Sequence, residues 1–150
     1  MRVIIQRVSQ ASVTINGLAK KSIGPGLVVL FGVEEIDDIE EVQWLVQKIC
    51  NLRIFDDEQG VMNLSVKDVD GEVMVISQFT LFASTKKGNR PSYMRSAKPN
   101  VAIPFYELFL EKMEQEIGEI IASGEFGADM KVALINEGPV TIIIDTKNKE

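Results

Sequence analysis

The chain contains no histidine and a single cysteine, Cys50. The first absence removes the commonest general base and the commonest metal-binding side chain. Together the two exclude a zinc site built from Cys and His ligands. One thiol also excludes an intramolecular disulfide framework and suits a reducing compartment. Long apolar runs are missing too. The longest, "GLVVLFGV" and "VTIII", are far too short to span a bilayer. The opening "MRVIIQRVSQ" has neither an apolar h-region nor a small-residue cleavage site, so it reads as a strand and not as a signal peptide. No membrane association and a cytoplasmic location are expected. Positive charge is in deficit: 16 Lys and Arg stand against 22 Asp and Glu, for a net charge of −6. Such a balance argues against non-specific binding of nucleic acid by the surface as a whole.

What is present is ordinary globular composition, 45% hydrophobic and 25% charged. A chain of 150 residues without repeats or linkers fits one domain, 1–150, with its own core. Residues 2–8 and 11–16 alternate as two strands, Asn16-Gly17 is a hairpin turn, and "LAKKSI" returns as a third strand. "LVVLFGV" is continuous enough to be buried on both faces. Asp37 or Asp38 caps a helix whose stripe is Val42, Leu45, Val46, Ile49 and Leu52, with Cys50 beside it as a structural thiol. "RIFDDEQG" and "MNLSVKDVDG" read as short strands with acidic turns, and their acids do not have the spacing of an EF-hand. "EVMVISQFTLF" is a long strand. A second helix, Pro99 to Ile121, places Phe105, Phe109, Met113, Ile117 and Ile120 on one face. Two last strands, 130–136 and 140–145, are separated by Gly138-Pro139, read locally as a turn. The predicted class is α+β: a largely antiparallel, curled or barrel-like sheet with two main helices packed on one side.

Three features carry chemistry. From Ser84 to Tyr106 there is no acidic residue, while Lys86, Lys87, Arg90, Arg95 and Lys98 are present with Tyr93 among them. In a chain of net charge −6 this segregation suits phosphate oxygens, although a basic solvated loop is the plainer alternative. Immediately before it, Ser77, Gln78, Phe79 and Thr80 end a strand with two hydroxyls, an amide and several N–H groups. Backbone N–H groups there suit an oxyanion. A threonine nucleophile needs an activating base, and none is close in sequence. Third, an X-Pro bond is the only peptide bond that readily becomes cis.

Taken together, "SQFTLFA" at 77–83, "KGNRPSY" at 87–93, "FGADM" at 126–130 and "NEGPVT" at 136–141 resemble the D-aminoacyl-tRNA deacylase family, also called D-tyrosyl-tRNA deacylase. The opening "QRVSQASVTING" and the segment "NLRIFDDEQGVMNLSVKDV" are similar to it as well, so the resemblance covers essentially the whole chain. It implies a homodimeric esterase acting on D-aminoacyl-tRNA, and on mischarged glycyl-tRNA, while sparing L-aminoacyl-tRNA, with active sites at the subunit interface. Ser77, Gln78, Phe79 and Thr80 would line the pocket. Gly138-Pro139 would be cis and reach into the partner's site. Phe126 and Met130 would shape the pocket around the terminal adenosine, Asn136 would join the substrate-binding set, and Arg7 would brace the Gly-Pro segment. No cofactor and no metal are implied. The resemblance implies chemistry assisted by the 2′-hydroxyl of the terminal adenosine, with Thr80 as the other candidate nucleophile.

The residues are compatible with that implication. An aminoacyl ester is already activated, and a hydroxyl beside it has a high effective molarity, so the lack of histidine is no obstacle. A rigid backbone wall rejects one hand of amino acid while ignoring side-chain identity, and it leaves glycine poorly rejected. Two other readings stand beside the editing esterase: a non-catalytic nucleic-acid-binding dimer on the same fold, and a hydrolase of another small ester or amide. The basic stretch disfavours the last, and the intact "SQFTL" and "NEGPVT" strings disfavour the first.

Overall fold

Arg2–Ile15 form one uninterrupted strand, β1, where two were expected. In the computed structural model, which describes residues 1–149, a register shift between Val8 and Gln10 adds one residue to β1. A one-residue slip turns every later side chain to the opposite face. Val3 and Ile5 therefore belong to one core, and Ala11, Val13 and Ile15 to another. The Asn16-Gly17 turn leads into β2, Ala19–Ile23, and β3 follows at Gly26–Gly32. Further on come β4 (Phe55–Asp56), β5 (Met62–Leu64), β6 (Glu72–Ser77), β7 (Ala122–Ser123) and β8 (Met130–Asp145). The main sheet runs β2-β1-β3-β6-β7, and β8 pairs along the other side of β1. Pairing is antiparallel except for β3–β6 and β6–β7, which are parallel. The result is the expected α+β architecture, a nearly closed, barrel-like sheet with both helices on one side.

The two cores explain why β3 and β6 read as unbroken apolar runs. Leu27, Val29, Phe31, Val73 and Val75 face the helices, while Val28, Met74 and Ile76 face the inside of the curl. Helix α1, Ile39–Cys50, lays Val42, Leu45, Val46 and Ile49 on the first core, and Leu52 follows just beyond its end. Of the two candidate caps, Asp38 holds the helix N-terminus in a capping box with Glu41. Cys50 is buried with its Sγ 3.8 Å from Met113 Sδ, and burial, with the charge of Glu116 adding to it, pushes the thiol up to about 12. It is structural, as expected.

Helix α2, Pro99–Ile117, accommodates Pro104 and ends four residues earlier than its pattern predicted. Gly118 takes the left-handed conformation, φ 85°, and its N–H returns to Glu114 O at 2.8 Å. Ile120 therefore lies off the helix and is exposed, while Phe109 and Met113 are fully buried. Phe109 stacks on Phe31 of β3 with centroids 4.3 Å apart. Such pairs add about 0.5–1.5 kcal/mol beyond their buried area. Among the described residues no helix is long and apolar enough to cross a membrane.

The start of β3 is the tightest point in the sheet. A Cβ on Gly26 would lie 1.8 Å from Glu72 O and within 3 Å of two further backbone atoms of β6. Gly26→Ala must push the parallel β3–β6 pair apart at its first rung. It is expected to cost at least about 1–3 kcal/mol, the usual range for overpacking, in a urea titration. An unchanged midpoint would contradict this packing.

Candidate active site

The segment from Ser77 to Thr80 does not continue the strand as predicted. The last rung of the β3–β6 ladder is Gln78 N–H to Phe31 O, 2.7 Å. Phe79–Phe82 then wind into a 3₁₀ turn. Gly32 is the reason the turn fits: a Cβ there would stand 3.0 Å from Gln78 O and 3.2–3.3 Å from Phe82 and Leu81. Phe82 is fully buried and anchors the turn, with the Arg2 guanidinium 4.9 Å from its ring centroid and Arg95 at 5.6 Å. Within the turn the first intrahelical bonds are Leu81 N–H to Gln78 O and Ala83 N–H to Thr80 O. The preceding N–H groups, on Phe79 and Thr80, have no acceptor inside the turn. The Gln78 side-chain amide donates to the Thr80 hydroxyl. Ser77, Gln78 and Thr80 are half-buried and Phe79 is exposed.

Behind the turn lies a small cavity of about 20 Å³, bounded by Ser77, Gln78 and Phe79 together with Ala102, Tyr106 and Phe126. Of the two residues expected to shape the pocket, Phe126 borders this cavity. Tyr106 and Ala102, on the buried face of α2, were not singled out from the sequence. Tyr106 donates to Val75 O at 3.1 Å and is also within 3.4 Å of Gly124 O. Burial raises its hydroxyl well above the ordinary tyrosine value, which keeps it a proton donor. Met130 is placed differently. It is half-buried against the second core, its sulfur 2.3 Å from where a Gly124 Cβ would be, and it does not bound this cavity.

Gly138-Pro139 is not a turn between two strands. Met130–Asp145 is one strand, and β1 pairs with it on both sides of the Gly-Pro step. Gln6 pairs with Thr141 and Val8 with Asn136, so the four residues 137–140 stand opposite Arg7 alone. The surplus chain bulges outward, leaving Glu137, Gly138 and Pro139 exposed. The Gly138–Pro139 bond is cis.

The bulge is held at two points. Asn136 closes its base: the amide oxygen accepts from Val140 N–H at 2.8 Å and the amide nitrogen donates to Thr141 Oγ1 at 3.0 Å. Arg7, buried on β1, supports it from behind. Its Nε donates to Glu137 O at 3.0 Å, and Nη1 reaches Ile54 O at 2.7 Å and Asp56 at 3.3 Å. Gly138, at φ 126°, leaves room for this; a Cβ would lie 2.9 Å from Arg7 Nη2. Among the described residues, no hydrogen bond or ion pair joins the bulge to Ser77–Thr80 of the same chain.

The basic stretch folds back on itself through paired Ser84 and Ser92 hydrogen bonds of 2.8 and 2.9 Å. Lys86, Lys87 and Arg90 are exposed on it. Arg95 is committed differently, pairing at 2.8 Å with the buried carboxylate of Glu34. Lys98 is exposed at the N-cap of α2 and its N–H donates to Glu35 at 3.0 Å. Ser96 Oγ donates to Phe79 O at 2.7 Å, tying this stretch to the turn. Among the described residues no three Cys, Asp or Glu side chains converge as a metal site would need.

A family model described as D-Tyr-tRNA(Tyr) deacylase matches residues 4–145. Proteins called D-aminoacyl-tRNA deacylase in Bacteroides thetaiotaomicron and Bacteroides fragilis are 60% and 61% identical to the chain over 150 residues, covering all of both sequences. A solved structure described as c-Myc DNA Unwinding Element Binding Protein superposes with a TM-score of 0.89. It is 40% identical, over 97% of this chain and 98% of that one.

If Arg7 is the brace, Arg7→Met leaves the Glu137 and Ile54 carbonyls without their donor. The expected cost is about 2–4 kcal/mol, a few times that of a single neutral hydrogen bond, together with faster amide exchange at Val140. A wild-type urea midpoint with unchanged exchange would contradict the role.

Proposed function

The chain belongs to the D-Tyr-tRNA(Tyr) deacylase family, and on that premise we propose that it is a tRNA-editing esterase that hydrolyses D-aminoacyl-tRNA to free D-amino acid and tRNA. The observation that carries this reading is the outward bulge at 137–140, clamped by Asn136 and Arg7, with Glu137, Gly138 and Pro139 exposed and, among the described residues, no hydrogen bond to Ser77–Thr80 of its own chain. An exposed backbone projection held this firmly suits insertion into another molecule. Under this reading the protein is a homodimer, and Gly138-Pro139 of one subunit completes the pocket formed by Ser77–Thr80 of the other.

The chemistry follows from the functional groups available. Water adds to the ester carbonyl, the 3′-oxygen of the terminal adenosine leaves with a proton, and negative charge develops on the carbonyl oxygen between these steps. The Phe79 and Thr80 N–H groups, unused by their turn, are suited to receive that charge. The Thr80 hydroxyl already accepts a hydrogen bond from Gln78, and among the described residues no Asp, Glu or Lys side chain is hydrogen-bonded to it to remove its proton. Proton transfer is therefore assigned to the neighbouring 2′-hydroxyl, which is held beside the ester at high effective molarity. No cofactor is required. Phe126 would border the terminal adenosine, with Met130 supporting the same wall through Gly124.

Selection of the D-hand is assigned to the partner's Gly138-Pro139 backbone, a surface that obstructs the L-side chain without reading what the side chain is. Glycine has nothing to obstruct, so mischarged glycyl-tRNA would also be cleaved. Lys86, Lys87 and Arg90, with Lys98 and the free face of Arg95, would meet phosphates of the acceptor end. With such a substrate the reaction is proposed to take place in the cytoplasm. The 40%-identical structure described as a DNA-element-binding protein favours one other reading, a non-catalytic nucleic-acid-binding dimer.

Matched D- and L-aminoacyl-tRNA separate these readings. The esterase is expected to turn over the D-ester at least about a hundredfold faster, the discrimination of a clash worth some 3 kcal/mol. Equal rates, or none, would reject it. On tRNA ending in 2′-deoxyadenosine with the amino acid on the 3′-oxygen, hydrolysis should fall steeply while Thr80→Ala stays active. The reverse pattern would return the chemistry to Thr80.

A further inference from the structure

Two exposed aromatic rings meet where the basic stretch, which carries Tyr93, touches the candidate site, which carries Phe79, and neither the reaction nor the fold accounts for their exposure. Phe79 is 53% exposed and Tyr93 41% exposed. Their ring centroids are 5.1 Å apart at an interplanar angle of 74°, an edge-to-face pair. In this geometry the ring that presents its edge keeps both faces clear of the other. The pair is also fixed in place. Ser96 N–H donates to Tyr93 O at 3.0 Å, and Ser96 Oγ donates to Phe79 O at 2.7 Å, so one residue holds both backbones. The Ser84–Ser92 pairing closes the stretch on the other side of Tyr93.

The surroundings indicate what would cover these rings. No acidic residue occurs from Ser84 to Tyr106, and Lys86, Lys87 and Arg90 lie exposed on the same folded-back stretch. The acids the fold brings to this stretch are engaged, Glu34 with Arg95 and Glu35 with the Lys98 N–H, and aromatic faces beside exposed cations match a single nucleic-acid strand, whose bases stack while its phosphates are neutralised. The connection also fits: Tyr93 shares the folded-back stretch with the exposed cations, and Phe79 belongs to Ser77–Thr80. Building on the esterase reading above, we propose that Phe79 and Tyr93 form a stacking platform for an unpaired nucleobase, the one preceding the terminal adenosine in the 3′ tail of the tRNA. The platform would hold the tail in line while the ester enters the pocket.

Two substrates test this: D-aminoacyl-tRNA, and 3′-O-D-aminoacyl-adenosine, which lacks the preceding base. Tyr93→Ala is expected to lower kcat/KM on the tRNA, relative to the adenosine ester, by roughly 5- to 150-fold, the range for loss of one stacked base. Tyr93→Phe should keep the wild-type ratio, since stacking does not need the hydroxyl. In parallel, 2-aminopurine at the penultimate position of an uncharged acceptor-stem hairpin should be quenched on binding wild type and not on binding Tyr93→Ala. This second readout is independent of catalysis. A protein inactive on both esters that still quenches the probe would fail as an esterase while keeping the platform. An unchanged ratio, an equal loss on both esters, a Tyr93→Phe as impaired as Tyr93→Ala, or no quenching by wild type would each overturn the platform.

Discussion

One buried guanidinium organises much of this protein. Arg7 sits on β1 where aliphatic residues precede it on the same face, and it satisfies carbonyls from two separate segments, Ile54 and Glu137. Burying an arginine is costly unless its donors are used. Here they are used to support a bulge that four residues of β8 make opposite it. With Asn136 and Thr141 closing the base, the exposed Gly-Pro step becomes a rigid feature on an otherwise regular strand. The proposed selection of one hand of amino acid needs such rigidity, because a wall that yields cannot exclude.

The Ser77–Thr80 turn depends on a second constraint, burial of β3 and β6 on both faces. Helices press on one side and the curl of the sheet on the other, so the end of the β3–β6 ladder is fixed by packing. Gly32 then lets the 3₁₀ turn lie directly on the end of β3, and Phe82 locks it from beneath. The two N–H groups left over at the start of the turn arise from this change of backbone geometry, a strand giving way to a helix without shared hydrogen bonds.

The periodic elements were readable in the sequence and the interruptions were not. The stripe of α1, the double-sided burial of β3 and the Asn16-Gly17 hairpin follow from patterns of apolar residues and turn chemistry. The shift at Ser9 is hidden because a bulge flips parity while the strand continues, so β1 read as two strands. The same limit turned the Gly-Pro bulge into an apparent turn: local sequence cannot show that β1 pairs on both sides of it. The strand "EVMVISQFTLF" was overextended because Phe79–Phe82 are strand-forming types held in a 3₁₀ turn by tertiary contacts with Gly32. Tyr106 and Ala102 escaped notice because they lie on the same apolar helix face as the core, and only packing shows that a cavity opens beside them.

The central claim is that each active site is shared between two subunits, and subunit complementation addresses it most directly. One inactive variant, Gly138→Val, spoils the projecting segment, where a side chain would collide with Arg7. The other, Ser77→Trp, fills the cavity beside the turn. If the sites are shared, unfolding and refolding an equimolar mixture yields mixed dimers in which one site carries both defects and the other none. Activity on D-aminoacyl-tRNA should then return to about a quarter of wild type, from random pairing into a two-fold dimer. If the mixture stays as inactive as either variant alone while mixed dimers are present, the Gly138-Pro139 segment serves its own subunit and the shared-site account is wrong.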